Sequence, residues 1–193
     1  MPVRLRQEVQ EVPRRLEKRD LADDAVRLEP LARAQAADFT WLLEPDEGIA
    51  RFTYIPTDPD EAWLTDWLGR YEDAWTRDTD RAGFSIRDAD GAAAGFAAFV
   101  RLDLELRQGE IGYVVAPAGR NRGVATRAVG LLTRWGFDEL GLERIELRID
   151  PRNAASERVA ERSGYRKEGV LRSLAFKDGL RSDVGVWSRL AHD

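Results

Sequence analysis

A strand, a loop of small and basic residues and a long helix follow one another in the segment Tyr113-Val114-Val115-Ala116-Pro117-Ala118-Gly119-Arg120-Asn121-Arg122-Gly123-Val124-Ala125-Thr126. The first main-chain N–H groups of a helix have no partner inside the helix, and the helix dipole attracts an anion to them. Gly123 carries no Cβ, so a ligand can approach the main chain closely. Asn121 tolerates left-handed backbone geometry, and Arg120 and Arg122 add positive charge suited to phosphate oxygens. The segment predicts a phosphate or pyrophosphate cradle; a surface loop with a glycine at a helix start is the alternative.

Two common phosphate-binding motifs are absent from this segment. No Gly-Lys-Ser/Thr follows the loop, so it is not a Walker loop. The Gly-x-Gly-x-x-Gly fingerprint of dinucleotide-binding proteins is also missing. The ligand of the cradle therefore has to be inferred from the rest of the chain.

The surroundings of the segment predict a mixed sheet with helices on its faces. Three antiparallel strands are expected around its start: one over 83–87, a second that follows the turn 88–91 and runs through Phe96 and Phe99 to about Leu106, and a third over 110–115. The second half is predicted to contain, in order, a helix from Val124 with a stop at Gly141, a strand over 144–149, a short helix from Asn153 to Ser163, and strands over 166–176 and 183–190. The fold class is therefore α/β, an α+β mixed sheet of about seven mostly antiparallel strands in a single domain.

The first half of the chain is less regular. Residues 1–24 are charge-dense without a clear period and are interpreted as an N-terminal extension, which leaves 25–193 as the domain. The expected elements are a strand over 26–31, a helix over 32–43, extended or loop structure over 51–55 and a helix that starts at Asp58-Pro59-Asp60-Glu61. An aromatic stripe at helical spacing follows, formed by Trp63, Trp67, Leu68, Tyr71 and Trp75. Such a stripe is typical of a core, and together with Trp41 it is also the best candidate wall for a binding pocket.

Composition excludes several kinds of chemistry. The 193 residues include no cysteine, and the single histidine, His192, is the penultimate residue. Without cysteine, the chain is not expected to form disulfides, thiol nucleophiles or thiolate zinc sites. With one histidine near the end, neither a Ser-His-Asp triad nor a histidine metal centre is expected, and no metal is predicted. The longest nearly apolar run, 91–100, is shorter than the roughly 20 residues of a membrane span. No signal peptide is recognised, and a cytoplasmic protein without membrane association is expected.

Charge is distributed unevenly along the chain. The net charge of −5 argues against general nucleic-acid binding. Residues 44–90 hold thirteen Asp or Glu and five Arg, a net charge of −8, whereas residues 117–172 hold twelve Lys or Arg and eight Asp or Glu, a net charge of +4. The first stretch suits a cationic partner and the second an anionic one, unless both are simply solvated surfaces.

The spacing Arg120-x-x-Gly123-x-Ala125 matches the Q/R-x-x-G-x-G/A acyl-CoA signature of the GNAT superfamily of N-acetyltransferases, which this chain resembles. Further matching motifs lie in order over about 26–190, namely Glu110-Ile111-Gly112-Tyr113, Asn153-Ala154-Ala155-Ser156, Ser163-Gly164-Tyr165, Glu168-Gly169-Val170-Leu171-Arg172 and Asp183-Val184 to Trp187-Ser188. The ordered set resembles the branch that holds the bacterial ribosomal-protein N-terminal alanine and serine acetyltransferases.

The resemblance implies acetyl-CoA as the cosubstrate. The main-chain amides around Gly123 would bind the CoA pyrophosphate, and pantetheine would lie where strand 110–115 parts from strand 144–149, paired with the backbone. Asn153 would contact the pantetheine arm and Ser156 would lie near the thioester sulfur, although Asn153 is also a good cap for the following helix. The residues implied in cofactor binding are Val114, Val115, Arg120, Asn121, Arg122, Gly123, Val124, Ala125, Thr126, Asn153 and Ser156.

Amide formation needs a neutral amine and a way to stabilise the leaving thiolate. Glu110 is the best candidate base, directly or through a water, with a solvated edge-strand carboxylate as the alternative. The tyrosine that many superfamily members use as general acid is replaced here by Ala160, so Ser156 is the candidate partner of the departing sulfur. Ser173 stands where members of the branch often have a carboxylate. Because the chain has no cysteine, a cysteinyl acyl-enzyme is impossible, and direct attack in a ternary complex is expected.

The expected acceptor is a primary amine, on a peptide N-terminus or on a small molecule such as an antibiotic. Carboxylates of 44–90 and the rings of Trp41, Trp63, Trp67 and Tyr113 favour a cationic acceptor. Two alternatives belong to other classes of protein, an acyl-CoA-binding sensor with little or no catalysis and a nucleotide or phosphosugar binder. A homodimer is left open.

Overall fold

A central sheet with helices on both faces organises the part of the chain that the computed structural model describes, residues 16–76 and 80–193. Within those residues, eight strands form one sheet in the order β1-β2-β3-β4-β5-β6-β8-β7. The strands are β1 Leu21–Ala22, β2 Val26–Pro30, β3 Ala82–Asp88, β4 Ala93–Asp103, β5 Gln108–Val115, β6 Arg144–Ile149, β7 Arg166–Lys177 and β8 Leu180–Leu190. Only β5 and β6 pair in parallel among them. The predicted mixed, mostly antiparallel sheet is confirmed, and the strand beyond the predicted seven is the two-residue β1.

Helices cover the sheet on both sides. Their bounds are α1 Glu47–Phe52, α2 Glu61–Ala74, α3 Val124–Asp138 and α4 Ala154–Arg162, with 3₁₀ helices at Arg33–Leu42 and Pro117–Gly119. Alternation along the strands sends side chains to opposite faces, so the sheet has two cores. Phe99 of β4 packs with Trp135 of α3 in one core, while Phe96 packs with Tyr71 of α2 in the other. We call these the α3 face and the α2 face.

Local signals placed most elements correctly, although β4 ends at Asp103 and not near Leu106, and β8 begins at Leu180 and not at 183. Three further elements differ. The region predicted as extended or loop over 51–55 begins inside α1, a six-residue helix too short to show a periodic pattern. Helix α2 starts later than predicted, because the Asp60 side chain, not Asp58, accepts the Trp63 N–H at 2.7 Å. Helix α3 ends at Asp138, and Gly141, with a φ of 66°, lies in the turn that leads to β6.

The described part of the predicted N-terminal extension packs against the domain. Leu16 and Leu21 are buried in the α3-face core, and β1 pairs with β2. Arg19 forms an ion pair with Glu139 just after α3. Residues 1–15 of the predicted extension lie outside the described residues, and the division at residue 24 stays a prediction.

Candidate functional site

The parallel strands β5 and β6 separate halfway along their length. Their paired positions run from Gln108 with Arg144 to Ile111 with Leu147, and no pairing between the two described strands continues beyond that point. The end of β5 therefore has an open edge. Ala116 N–H donates to the Ala94 carbonyl of β4 at 2.9 Å. Because such bonds alternate along an antiparallel pair, the main-chain groups of Val114 also face β4.

Tyr113 and Val115 consequently direct their main-chain groups to the open edge. The Val115 carbonyl there accepts a hydrogen bond from Arg120 Nε at 3.3 Å. Backbone pairing with a ligand was expected at Val114 and Val115. The geometry offers the main-chain groups of Val115 and Tyr113, while Val114, which also lines the cavity, packs against the α2-face core.

The cradle loop presents the start of α3 without a cap. Asn121 has a φ of 60° and Gly123 a φ of 77°, so two left-handed residues turn the chain into the helix. Gly123 occupies the N-cap position, where it supplies no side-chain acceptor to the N–H groups of the first turn. A Cβ built on Gly123 would meet no protein atom within 4 Å. The first turn of this fifteen-residue helix borders a cavity, as an anion site requires.

Arg120 connects the cradle to the short helix α1. Its Nη2 lies 2.7 Å from Oδ2 of Asp46, and the Asp46 Oδ1 accepts the Ile49 N–H at 2.9 Å as the N-cap of α1. Burial alone would raise the pKa of Asp46, but the hydrogen bonds from the Ile49 amide and from Arg120 lower it below its usual value. Arg122 lies 3.4 Å from Asp88 and does not line the cavity described below. The loop is thus fixed on two sides by acidic residues of the 44–90 region.

Asp46→Ala is expected to lower the free energy of unfolding by about 1–2 kcal/mol, because it removes both the cap and the ion pair. Asp46→Asn keeps a capping oxygen and should cost less than about 1 kcal/mol. Since the folded-state pKa is lowered, this stabilisation is present at neutral pH and disappears as the pH falls below the ordinary value of 3.8. Urea unfolding of the wild type and the two variants at neutral pH and at about pH 3 measures both effects. Equal losses for the two variants at neutral pH would contradict the capping role.

Helix α4 supplies the wall opposite the cradle. Its N-cap is Asn153, whose Oδ1 accepts the Ser156 N–H at 3.1 Å, so the capping alternative is realised. The Asn153 amide group stays available to a ligand, because capping uses only the oxygen. Arg158 and Arg162, one turn apart, also line the cavity and add two positive charges that the sequence analysis missed. Ala160 is fully buried and offers no hydroxyl.

A cavity of about 500 Å³ joins the open edge of β5, the cradle and α4. Ten of the predicted cofactor-binding and catalytic positions line it, and Arg122 and Glu110 do not. Helix α1 contributes residues that lacked any periodic or motif signal in the sequence. The lining residues are Gly48, Ile49, Phe52, Thr53, Tyr113, Val114, Val115, Gly119, Arg120, Asn121, Gly123, Val124, Ala125, Thr126, Asn153, Ala155, Ser156, Arg158, Val159 and Arg162.

Glu110 lies on β5 where the strand is still paired with β6. Its Oε2 is 3.1 Å from Arg101 Nη2 and 3.3 Å from Arg148 Nε, and its side chain is 19% exposed. Burial raises the pKa of Glu110, Arg148 and Arg101 oppose that rise, and the neighbouring Glu146 adds to it. Glu110 is three residues from Tyr113, so the two side chains leave opposite faces of the strand. A partly desolvated carboxylate with a raised pKa is a chemically suitable base.

The predicted aromatic wall lies in the α2-face core. Trp67 packs edge-to-face on Phe96 at 4.7 Å between ring centroids, and Trp63 stacks on Trp67 at 5.8 Å. Trp41 packs against the same cluster and its Nε1 donates to the Asp38 carbonyl at 2.9 Å. None of these three tryptophans lines the described cavity, whereas Tyr113 does. The stripe forms a core, which was one of the two interpretations of its spacing.

Part of the acidic charge of residues 44–90 is used inside the chain. Arg33 pairs with Glu72 at 2.5 Å and with Asp73 at 3.0 Å, while Asp46 and Asp88 hold the two arginines of the cradle. The net charge of residues 44–90 therefore overstates the negative charge that remains available to a ligand. In the described ranges, no group of three or more His, Asp or Glu side chains is placed to hold a metal ion, and none of the helices has the length and apolar character of a membrane span.

Comparison with known proteins gives consistent matches. Residues 25–166 match the family described as Acetyltransferase (GNAT) domain. "Putative ribosomal N-acetyltransferase YdaF" from Bacillus subtilis is 29% identical over 88% of this chain and 87% of its own length. Spermidine N(1)-acetyltransferase from Escherichia coli K12 is 27% identical over 80% of each protein. A crystal structure of a GCN5-related N-acetyltransferase from Brucella melitensis is 30% identical, with a TM-score of 0.79 over 94% of this chain and 82% of that one.

Shorter matches are found with two Bacillus subtilis proteins named as N-acetyltransferases, and there the chain spans only 60% and 46% of the relatives' length. The longer matches confirm the likeness to GNAT proteins and to the ribosomal-protein branch that the motifs indicated. The residues matched by the family include β5, the cradle, α3 and α4, which are the elements that build the cavity.

Proposed function

Because the chain belongs to the GNAT acetyltransferase family, we propose that it transfers an acetyl group from acetyl-CoA to a primary amine by direct attack in a ternary complex. The observation that carries the proposal is the uncapped start of α3 beside the open edge of β5. The first feature suits an anion, and the second suits an extended chain of amides. The pyrophosphate and pantetheine parts of CoA present these two groups in one molecule.

The residues of the cavity fit such a ligand. The amides at Gly123 and in the first turn of α3 would hold the pyrophosphate, and Arg158 and Arg162 are placed to meet further phosphate charge. The main-chain groups of Tyr113 and Val115 would pair with the pantetheine amides, with the Asn153 amide group on the other side. When bound, acetyl-CoA supplies an activated thioester to the amine.

The chain's own residues would manage the protons and orientation of the reaction. An α-amino group has a pKa of about 8, so a modest fraction is already neutral at pH 7 and the demands on a base are small. Glu110 would take the proton of the attacking amine, directly or through a water. Ser156, in the first turn of α4, would lie near the sulfur. Glu110 and Ser156 would thus act on the reacting carbon from opposite faces of β5.

The acceptor is proposed to be a cationic primary amine, on a peptide N-terminus or on a small molecule. Spermidine, named for one relative, is a cationic amine, and the name of another points to a ribosomal substrate. Residues 44–90 also carry exposed acidic side chains that are not part of the cradle, such as Glu44 and Asp66, and their charge would attract a cationic acceptor. A cytoplasmic location and a homodimer stay predictions.

A screen that measures thiol release from acetyl-CoA tests the proposal. Peptides that begin with alanine or serine, polyamines, aminoglycosides and neutral primary amines are offered to the purified protein. Turnover is expected with at least one cationic class, at a kcat/KM at least about tenfold above that for neutral amines, and this preference should shrink as salt is raised. Equal turnover of neutral and cationic amines would rule out the cationic acceptor.

The second candidate is an acyl-CoA-binding sensor with little or no catalysis. Ala160 and Ser173 favour it, because related enzymes often carry catalytic groups at these two positions. This candidate predicts tight acetyl-CoA binding by calorimetry and no thiol release with any amine. Binding without turnover would select the sensor, and absence of binding would exclude both candidates.

A further inference from the structure

The Tyr113 hydroxyl is a buried polar group without a hydrogen-bond partner, and Tyr113 is one of the residues that line the cavity. Five buried side-chain atoms in the described residues lack a hydrogen bond, and those of Trp75, Ser85, Ser163 and Trp187 lie away from the cavity lining. An unpaired buried hydroxyl is costly, and native structures keep one where a ligand or a function requires it. Tyr113 is therefore the one of the five that belongs to the cavity lining, where a bound ligand would come near its hydroxyl.

The Tyr113 side chain projects to the α3 face of the sheet. Its ring packs against the α3-face core, whereas Val114 next to it packs against the α2-face core. The Ser156 side chain is near enough to influence the pKa of Tyr113 without completing a hydrogen bond. Glu110 leaves the opposite face, so an amine that approaches from the side of Glu110 expels its leaving group toward Tyr113 and Ser156.

We propose that Tyr113 is a catalytic residue whose hydroxyl donates a hydrogen bond to the sulfur of acetyl-CoA and holds the thiolate as it departs. This inference rests on the proposed function. In the step, the amine nitrogen forms a bond to the acetyl carbon, the carbon–sulfur bond breaks with its electron pair on sulfur, and the surplus proton of the nitrogen goes to Glu110. Tyr113 thereby fills a role left open by Ala160, from a different element of the fold.

Tyr113 keeps its proton throughout. Burial raises the pKa of Tyr113 to about 12, and the Ser156 side chain opposes the rise. A thiol has a pKa of about 8.5, so a thiolate does not remove the proton from such a phenol. The hydroxyl is consequently a hydrogen-bond donor at every working pH, and the thiolate is released to solvent or protonated by water.

Binding of CoA and of desulfo-CoA, which lacks the sulfur, tests the contact without any turnover. At about pH 9, where most of the free thiol is ionised, wild-type protein should prefer CoA, and Tyr113→Phe should lose about tenfold in CoA affinity with desulfo-CoA affinity unchanged. The wild-type preference for CoA should also grow as the pH rises through the thiol pKa. A flat preference in the wild type, or equal effects of Tyr113→Phe on both ligands, would overturn the assignment.

The kinetics and thermal stability of Tyr113→Phe are compared with those of a control variant, Tyr165→Phe. Tyr113→Phe is expected to lower kcat about 10- to 50-fold with KM for acetyl-CoA within about threefold, and its Tm should not fall, because an unpaired hydroxyl is removed. The Tyr165 hydroxyl, also buried, hydrogen-bonds Thr133 Oγ1 at 2.8 Å, so Tyr165→Phe should lower Tm and leave kcat near wild type.

Failure of the Tyr113 assignment and failure of the proposed function give different results. Wild-type kcat in Tyr113→Phe would reject the sulfur contact alone, and a wild-type protein that neither binds CoA nor releases thiol would reject the proposed function itself.

Discussion

Replacement of Glu110 by glutamine is expected to lower kcat about 100-fold while the dissociation constant for acetyl-CoA changes by less than about threefold. A positioned general base contributes about 100- to 10,000-fold, and an α-amine that is partly neutral places the effect near the lower end. Glu110 does not line the cavity, so its loss should leave the cofactor contacts intact. Steady-state kinetics and calorimetry measure the two quantities separately.

The pH profile adds a second signature for Glu110. Because burial raises its pKa, the carboxylate begins to be protonated above the ordinary glutamate value of 4.5 as the pH falls. For the wild type, log kcat/KM should fall with a slope of about one below the amine pKa and with a slope of about two below the Glu110 pKa. Glu110→Gln should show only the first slope.

Glu143→Gln is the matched control for Glu110. Glu143 also pairs with an arginine, Arg107, at 3.1 Å, but its side chain is 69% exposed and lies outside the cavity. This variant should keep wild-type kcat and the wild-type pH profile. If Glu110→Gln behaves like Glu143→Gln, Glu110 is a structural member of its ion-pair cluster and the base lies elsewhere.

The backbone geometry of the cradle loop could be predicted from sequence because its signal is local. The geometry needed at Asn121 and Gly123 depends on which residues accept a positive φ, and both residues have one. Asn153 could likewise be predicted as an N-cap, because it directly precedes a short helix. Such features depend on a few neighbouring residues, which a single sequence contains in full.

The partners of the site residues could not be predicted, because they are brought together by the sheet. Arg120 was expected to face a phosphate, and its guanidinium pairs with Asp46, which is 74 positions away in the chain. The aromatic spacing of α2 correctly predicted one face of a helix. It could not distinguish whether that face lines a cavity or packs in a core. Tyr113 and Trp67 were grouped as one wall, although they lie on different faces of the sheet.

Gly123→Val is expected to weaken acetyl-CoA binding about 100-fold by calorimetry, while the protein stays folded. The φ of 77° disfavours a side chain at this position, at a cost of about 1–2 kcal/mol for an ordinary residue and more for a branched one. No protein atom lies within 4 Å of the added Cβ, so the fold itself has room for it. The branched side chain instead stands at the uncapped start of α3, in the space that a pyrophosphate would use.

A valine substitution at a second glycine distinguishes the effect of backbone strain from the effect of blocking the cradle. Gly179, in the turn between β7 and β8, has the same φ of 77° and nothing within 4 Å of a built Cβ, but it does not line the cavity. Gly179→Val should therefore lose a similar amount of stability and keep its acetyl-CoA affinity within about twofold. Wild-type affinity in Gly123→Val would remove the anion site from the start of α3, since no ligand that depends on those amides tolerates a branched side chain between them.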